Sequence, residues 1–328
     1  LVHPPRTVLT QKGEISKVFT PFYKKWVTIP APPSLQNIQP VFVSGRENDW
    51  EIEQDLMSSS SDEGHRGAIE RLEHFLNVVD DYQESRNIPS VEGTSFLSSD
   101  LHFGTIGPRE ILHRLSSNRE GHRQFIRQLA WRDWYAHLLY ANQEIPLKAA
   151  NRSYENIQWR DDPKDLQNWK EGQTGYPIVD AGMRQLSATG WMHNRVRMIT
   201  ASFLVKHLLI DWRKGESYFR RTLTDGDVAQ NCGNWQWVAG TGFDAAPYFR
   251  VFNPVLQSKK FDPSGSYIRR WVPELEDISN SAIHSPWESD ETTLKKYGVV
   301  LGRTYPFPMV NHAEARDRAL ATYKKARE

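Results

Sequence analysis

The sequence predicts a mainly α-helical fold, and three observations carry that expectation. From Gly64 onward apolar residues recur at spacings of three and four, as in Ala68, Leu72, Phe75, Leu76 and Val79, the period of a helix with one buried face. Breakers such as Pro89, Pro108 and Gly190 fall between periodic stretches, where they stop or start helices. Convincing alternation of apolar and polar residues, the mark of a half-buried strand, is absent after residue 64.

The elements follow in order. Residues 1–28 hold two apolar clusters, Thr7–Thr10 and Val18–Trp26, each too short to fold alone. Residues 29–40 carry four prolines and 41–63 stay polar, with serines at Ser58–Ser61. Together 29–63 reads as an extended linker. The first amphipathic helix runs from Gly64 and ends before Pro89. A turn-rich segment, EGTSFLSSDLHFG, comes next. Pro108 opens a helix with Ile111, Leu112 and Leu115 on one face, and Phe125 to Leu139 forms another, rich in aromatics. Residues 141–175 read as loops. Tyr176–Leu186 and Trp191–Leu209 are two further helices, separated by Gly190. From Asp225 to Asn253 little periodicity remains. That segment predicts irregular backbone bearing flat apolar rings, carboxamides and carboxylates, a set suited to a flat, hydrogen-bonding ligand such as a flavin or a base.

Bulk numbers restrict the function classes. A chain of 328 residues buries a large core. A net charge near +1 announces no nucleic-acid binder, so any basic footprint must be local. The one cysteine, Cys232, excludes an internal disulfide and any four-cysteine metal or cluster site. No run of eighteen apolar residues offers a membrane span. The chain begins at Leu1 rather than Met, as a fragment does.

Four constellations could carry chemistry. Between Trp191 and Arg221 seven bases (Arg195, Arg197, Lys206, Arg213, Lys214, Arg220, Arg221) face two acids (Asp211, Glu216), a local excess of 7 − 2 = 5. This is either a solvated face or, with tryptophans flanking it, a phosphate and base platform. In RQLAWRDWY, Gln128, Trp131 and Tyr135 share one helical face. Gln128 could read a base edge and Trp131 could stack on a base, or the helix is simply aromatic core. Asp225-Gly226-Asp227 is a turn, a helix N-cap or a hydrogen-bond acceptor for a heterocycle. A third metal ligand is not evident nearby, so no metal is assigned. Thr94, Ser95, Phe96, Leu97 and Ser98 supply hydroxyls and backbone N–H groups without a phosphate-loop lysine, so they form a cap or hold phosphate. Trp159, Trp212 and Trp235 are each as expected of core as of chemistry.

Taken together, GTSFLS, RQLAWRDWY, TGYPIVDAGMRQLSATGWMHNRVRMITASFLVKHLLIDWRKGE, DGDVAQNCGNWQWVAGTGFDAAPYFRVFNP and KFDPSGSYIRRWVPEL resemble the flavin domain of the photolyase/cryptochrome family, closest to bacterial class I cyclobutane pyrimidine dimer photolyases. The likeness covers roughly residues 64–310, and matches this long are specific. VFTPFYKKW resembles the end of the family's α/β antenna domain. The resemblance thus implies an antenna remnant over 1–28, a linker over 29–63 and a helical FAD-binding, DNA-repair domain over 64–328. A second, light-harvesting chromophore is expected only in the missing antenna domain.

The resemblance also implies residue roles. Tyr82, Thr94, Ser95, Phe96, Leu97, Ser98, Phe125, Asp225, Gly226, Asp227 and Asn231 would hold FAD, with Asn231 at the reactive edge of its ring. Trp131 and Trp237 would flank a flipped pyrimidine dimer, and Gln128, Asn194 and Met198 would line its pocket. Arg86, Gln128, Trp131, Asn194, Arg195, Arg197 and Gln257 would contact DNA. Trp235, Trp212 and Trp159 would pass electrons from the surface to the flavin. The implied activity is light-driven dimer repair in UV-damaged DNA by a monomer in the bacterial cytoplasm. Two relatives offer alternatives, a blue-light photoreceptor and a six-four photoproduct photolyase. Gln128 stands where many class I enzymes have glutamate and where six-four enzymes have glutamine. Against the six-four reading, His193 is followed by Asn194, where those enzymes carry a histidine pair.

Overall fold

The computed structural model describes residues 1–33 and 64–328. Most of the expected linker therefore lies outside the described residues. Fifteen α-helices are named among those residues, joined by loops and short 3-10 turns. In chain order they begin with α1 (Phe19–Trp26), α2 (Gly64–Leu76), α3 (Tyr82–Ser85), α4 (Ser98–Phe103) and α5 (Pro108–His113). Next come α6 (Glu120–Ala141), α7 (Pro163–Lys170), α8 (Pro177–Thr189), α9 (Asn194–Ser202) and α10 (Trp212–Thr222). The series closes with α11 (Val228–Ala239), α12 (Pro254–Phe261), α13 (Ser266–Trp271), α14 (Glu291–Lys296) and α15 (His312–Lys325). Among the described residues the β-pairing is two isolated bridges, Arg160 with Ile210 and Leu301 with Tyr305. The mainly helical class is as the sequence predicts.

Local chemistry sets the helix starts. Asp162, Asp211, Asp227 and Asn253 each accept a backbone N–H from the first turn of the helix they precede, which satisfies donors that have no partner within the helix. Proline opens α5, α7, α8 and α12, where its missing N–H costs nothing.

Several sequence expectations change. The helix expected from Gly64 to before Pro89 is broken into α2, a 3-10 turn and α3, and α4 lies inside the turn-rich segment. Helix α7 lies inside the stretch expected to be loops. The helix expected from Trp191 starts at Asn194, with His193 as its cap, and continues as a π-helical turn over Phe203–His207. Most importantly, residues 228–239 form α11, not irregular backbone. The reason is its position. Among the described residues two large hydrophobic cores, one built on the N-terminal segment with α2, α5 and α6, the other on α8, α9, α10 and α13, are joined by a small third around Tyr154 and Tyr323. Ala229 and Cys232 face the first core, while Trp235, Val238 and Ala239 face the second. The buried positions of α11 do recur at three and four, but they include small Ala229 and Cys232 and polar Gln236, and half-buried Trp237 stands on the other side, so the stripe is faint.

Small residues let α11 approach its neighbours. A Cβ on Gly233 would stand 2.3 Å from the Tyr135 ring of α6, and one on Gly215 of α10 would stand 2.2 Å from the Trp235 ring. Neither position has room for a side chain. At the far end of α11, buried Lys206 donates to the Ala239 carbonyl at 2.9 Å and lies 3.5 Å from the centre of the Tyr323 ring. A cation at a helix C-terminus is favourable, though burial lowers the Lys206 pKa well below its ordinary value.

Residues 1–28 pack against α6 and are part of the first core. Fully buried Asp133 accepts the Val2 and His3 N–H groups and the Trp26 indole N–H, at 3.1, 2.9 and 2.9 Å. The Trp134 indole donates to the Ser16 carbonyl at 2.8 Å.

Candidate flavin and nucleic-acid site

Two clefts meet where α9 faces the turn before α11. The inner cleft, about 540 Å³ with its open mouth, is lined by residues including Asn194, Arg197, Met198, Asp225, Asn231 and Trp235. The outer one, about 570 Å³, is lined by Tyr82, Thr94, Ser95, Phe96, Leu97, Ser98 and Trp191. Asn194, Arg197 and Asp225 line both. Of the residues expected at FAD, Asp225 and Asn231 thus gather at the inner cleft, and Tyr82 with the Thr94–Ser98 segment at the outer. Phe125 backs Tyr82, ring edge to face at 5.3 Å. Gly226 forms the turn, and Asp227 caps α11 by accepting the Gln230 N–H at 2.9 Å.

Asp225 and Arg197 form a bidentate ion pair at 3.0 and 2.8 Å between the clefts. Burial pushes the Asp225 carboxyl up. The Arg197 charge and its hydrogen bonds, joined by one from Ser98, outweigh burial and hold it below the usual carboxylate range. Arg197 also donates to the Met192 carbonyl at 2.7 Å. It is thereby committed to the cleft wall, although the sequence assigned it to DNA.

Asn231 carries a more specific signal. Its amide nitrogen donates to both the backbone carbonyl and the carboxylate of Glu216, at 2.9 and 3.0 Å. With both N–H groups engaged, the carboxamide oxygen is what Asn231 offers to the cleft. Glu216 is buried and was missed in the sequence, where it counted only as one of two acids in a basic stretch. Its place four residues after Trp212, on the face of α10 that meets α11, was the available signal.

The cleft also fits a bound dinucleotide cofactor by its unmet demands. The buried hydroxyl of Thr94 has no protein partner. Phe96 holds a left-handed backbone, φ 53°, a strained conformation for a non-glycine residue of the kind found at ligand clamps. Hydroxyls, a paired acid and a fixed amide oxygen form a donor and acceptor set that suits the phosphates, ribityl hydroxyls and ring edge of FAD.

His193 shapes the same wall. Its Nδ1 accepts the Arg195 N–H at 3.2 Å, capping α9. Burial first, then the charges of Arg195, Arg197 and Arg86, push its pKa down to about 4. It is a neutral cap.

Beyond the inner cleft lies a cationic cluster. Arg86 donates to the Gln128 carboxamide oxygen at 3.1 Å, while the Gln128 nitrogen donates to the Gln124 carbonyl at 3.0 Å. Arg195 donates to Asn87 at 2.6 Å and lies 4.3 Å from the centre of the Phe261 ring. Burial lowers the Arg195 pKa, and so do the nearby charges of Arg86 and Arg250. Three guanidiniums held close together without a carboxylate partner for Arg195 attract phosphate. Most of the rest of the basic excess read from 191–221 is spoken for, apart from exposed Arg221, which donates to the Ser217 carbonyl. Arg213 meets Glu155 and Asp211, Lys214 meets Asp161, Arg220 meets Glu216, and Lys206 is buried. Gln257 lies half-buried on α12.

The tryptophans separate. Trp131 stacks face to face on Phe19, ring centres 3.6 Å apart and 11° from parallel. Trp237 is half-buried against the second core. Trp235 is buried, edge-on to Phe219 at 5.0 Å and Trp169 at 6.2 Å. Trp212 is buried in the same core, and half-buried Trp159 meets Tyr323 at 6.0 Å. Cys232 is buried and its thiol is pushed up to about 12, by burial and then by Glu216 and Asp227.

The family model for the FAD binding domain of DNA photolyase matches residues 125–325. A deoxyribodipyrimidine photo-lyase from Agrobacterium fabrum is 45% identical over 98% of this chain and 71% of its own length. The chain belongs to the photolyase/cryptochrome family. A deoxyribodipyrimidine photo-lyase from Escherichia coli is 44% identical, over 100% of this chain and 72% of its own length. The crystal structure of a bacterial class III photolyase from Agrobacterium tumefaciens superposes with a TM-score of 0.87 at 44% identity, over 99% of this chain and 72% of that one. Such similarity over nearly the whole chain makes this an enzyme of the photo-lyase class, built on the family's helical FAD-binding fold. Among the described residues no helix is long and apolar enough to cross a membrane.

Proposed function

We propose that this chain repairs cyclobutane pyrimidine dimers in DNA by light-driven electron transfer from reduced FAD. The observation that carries the reading is Asn231, fixed by Glu216 so that an amide oxygen faces the cleft. An amide exchanges no proton at neutral pH, whereas an aspartate there would titrate with the ring. Asn231 would therefore accept a hydrogen bond from a bound flavin without taking its proton, which suits a cofactor that must remain reduced between turnovers. The flavin, when bound, supplies the photoexcited electron that splits the cyclobutane ring and receives it back.

The chain's own residues do the rest. Arg197 and Asp225 close the wall between the two clefts, and the Thr94–Ser98 segment takes phosphates. Arg86, Arg195 and Arg250 draw the DNA backbone to the mouth. Photolyases extrude their target from the stack, and a dimer that pairs poorly is cheaper to extrude than an intact base. Trp131 and Trp237 receive it. Gln128 turns its oxygen to Arg86 and keeps an N–H free for a dimer carbonyl. The six-four alternative needs a histidine that gives and takes protons, and His193 is a buried, neutral helix cap. Trp235, Trp212 and Trp159 would relay electrons from a reductant in solution at the surface towards a bound flavin.

The test is illumination of the reduced holoprotein with dimer-containing oligothymidylate. Absorbance in the thymine band should recover. No recovery while the flavin stays reduced would remove the repair assignment. In the same assay Trp131→Ala should cost about 1–3 kcal/mol of binding to damaged DNA, the worth of one stacked base, with smaller loss on intact DNA.

A further inference from the structure

We infer that Phe19, from the segment ahead of the linker, is a positioning residue of the lesion pocket, setting the gap between the indoles of Trp131 and Trp237. The inference rests on the reading above that these two rings receive the dimer. Phe19 is buried, and its ring covers one whole face of Trp131 at 3.6 Å. Its other contacts brace it. The Arg127 guanidinium lies 5.1 Å from the Phe19 ring centre and 5.1 Å from that of Tyr23, and Tyr23 is itself stacked on Phe19 at 5.7 Å. Trp134 and Tyr135 touch Trp131 only edge-on or tilted, so the flat support comes from Phe19 alone among the described rings.

The same residue is tied, through its backbone, to the loop that bonds the main chain of Trp237. The Phe19 N–H donates to the Asp244 carboxylate at 3.0 Å. Asp244 has a left-handed backbone, φ 46°, which a non-glycine residue adopts only when its surroundings hold it. Two residues on, the Ala246 N–H donates to the Trp237 carbonyl at 3.1 Å. Trp131 sits on α6 and Trp237 on α11, and Phe19 at the start of α1 touches the first and is linked to the backbone of the second through the 244–246 loop. A dimer can meet only the face of Trp131 that Phe19 leaves open, so the position of Phe19 decides where that face stands.

Two variants and one control test this, using the flavin-loaded protein. Phe19→Leu keeps apolar volume and loses the plane, while Phe19→Tyr keeps the plane. Phe19→Leu should lower the preference for dimer-containing over intact oligonucleotide about three- to tenfold, the range for one aromatic pair. Its affinity for intact DNA and its flavin photoreduction without DNA should stay as in the parent, and Phe19→Tyr should keep the preference. Equal losses on damaged and intact DNA, an unchanged preference in Phe19→Leu, or equal loss in both variants would each overturn the inference. Trp131→Ala separates the two readings. If it loses the preference while Phe19→Leu keeps it, the buttress fails alone. If Trp131→Ala keeps it, the pocket reading itself fails.

Discussion

Mild acid should destabilise this protein through one buried imidazole. His193 has an ordinary pKa of 6.5 when unfolded and about 4 in the fold. The fold prefers the neutral ring, so its contribution is fully present above about 6.5 and is lost as pH falls towards about 4. The two values differ by 6.5 − 4, or about 2.5, which at 1.36 kcal/mol each gives a ceiling of about 3 kcal/mol. At about pH 5 the linkage relation gives a loss of about 2 kcal/mol. His207, pushed down to about 3 by burial and then by His312, adds a loss of the same sign. The comparison that isolates His193 is His193→Asn. Asparagine keeps a side-chain acceptor for the first turn of α9 and does not titrate. Urea unfolding of both proteins between about pH 7 and about pH 5 should show the parent losing about 2 kcal/mol more than the variant. Parallel curves would refute the argument that His193 is held neutral. Because α9 carries Asn194, Arg195 and Arg197, flavin release in mild acid should follow the same difference.

Two further outcomes follow from the site. Glu216→Leu removes one of the two acceptors of the Asn231 amide, the backbone carbonyl of residue 216 remaining, so stability should fall by about 1 kcal/mol, and the reduced flavin should reoxidise faster in air, read from its absorbance; an unchanged reoxidation rate would detach Glu216 from the cofactor. Trp235→Phe should slow photoreduction of oxidised flavin and spare repair by enzyme reduced beforehand, and loss of that repair would give Trp235 a different task.

Much of the fold was legible because its cues are local. Pro108 at the start of α5 and the glycine after α8 act on neighbours in sequence, whereas the cap at Asp162 stands in a stretch expected to be loops. The failures share a cause. Helix α11 was hidden because its buried face mixes small and polar residues with apolar ones while Trp237 stands on the other side, so the stripe is faint. The basic excess around α10 looked like a DNA surface because sequence counts charges without their partners. Arg213, Lys214 and Arg220 are answered by Glu155, Asp161 and Glu216, while the cations left at the mouth are Arg86, Arg195 and Arg250.

The sequence by itself determined the helical class, some helix starts and stops and, through long family motifs, the residues that could serve a flavin and a lesion. Only tertiary structure decided what those residues do to one another. It committed Arg197 to Asp225, turned the Asn231 oxygen towards the cleft by means of Glu216, and set Phe19 behind Trp131. A helix period records which side of one element is buried. It carries no information about which distant side chain completes a hydrogen bond or covers a ring, because that is settled when separate helices pack at fixed distances around shared cores.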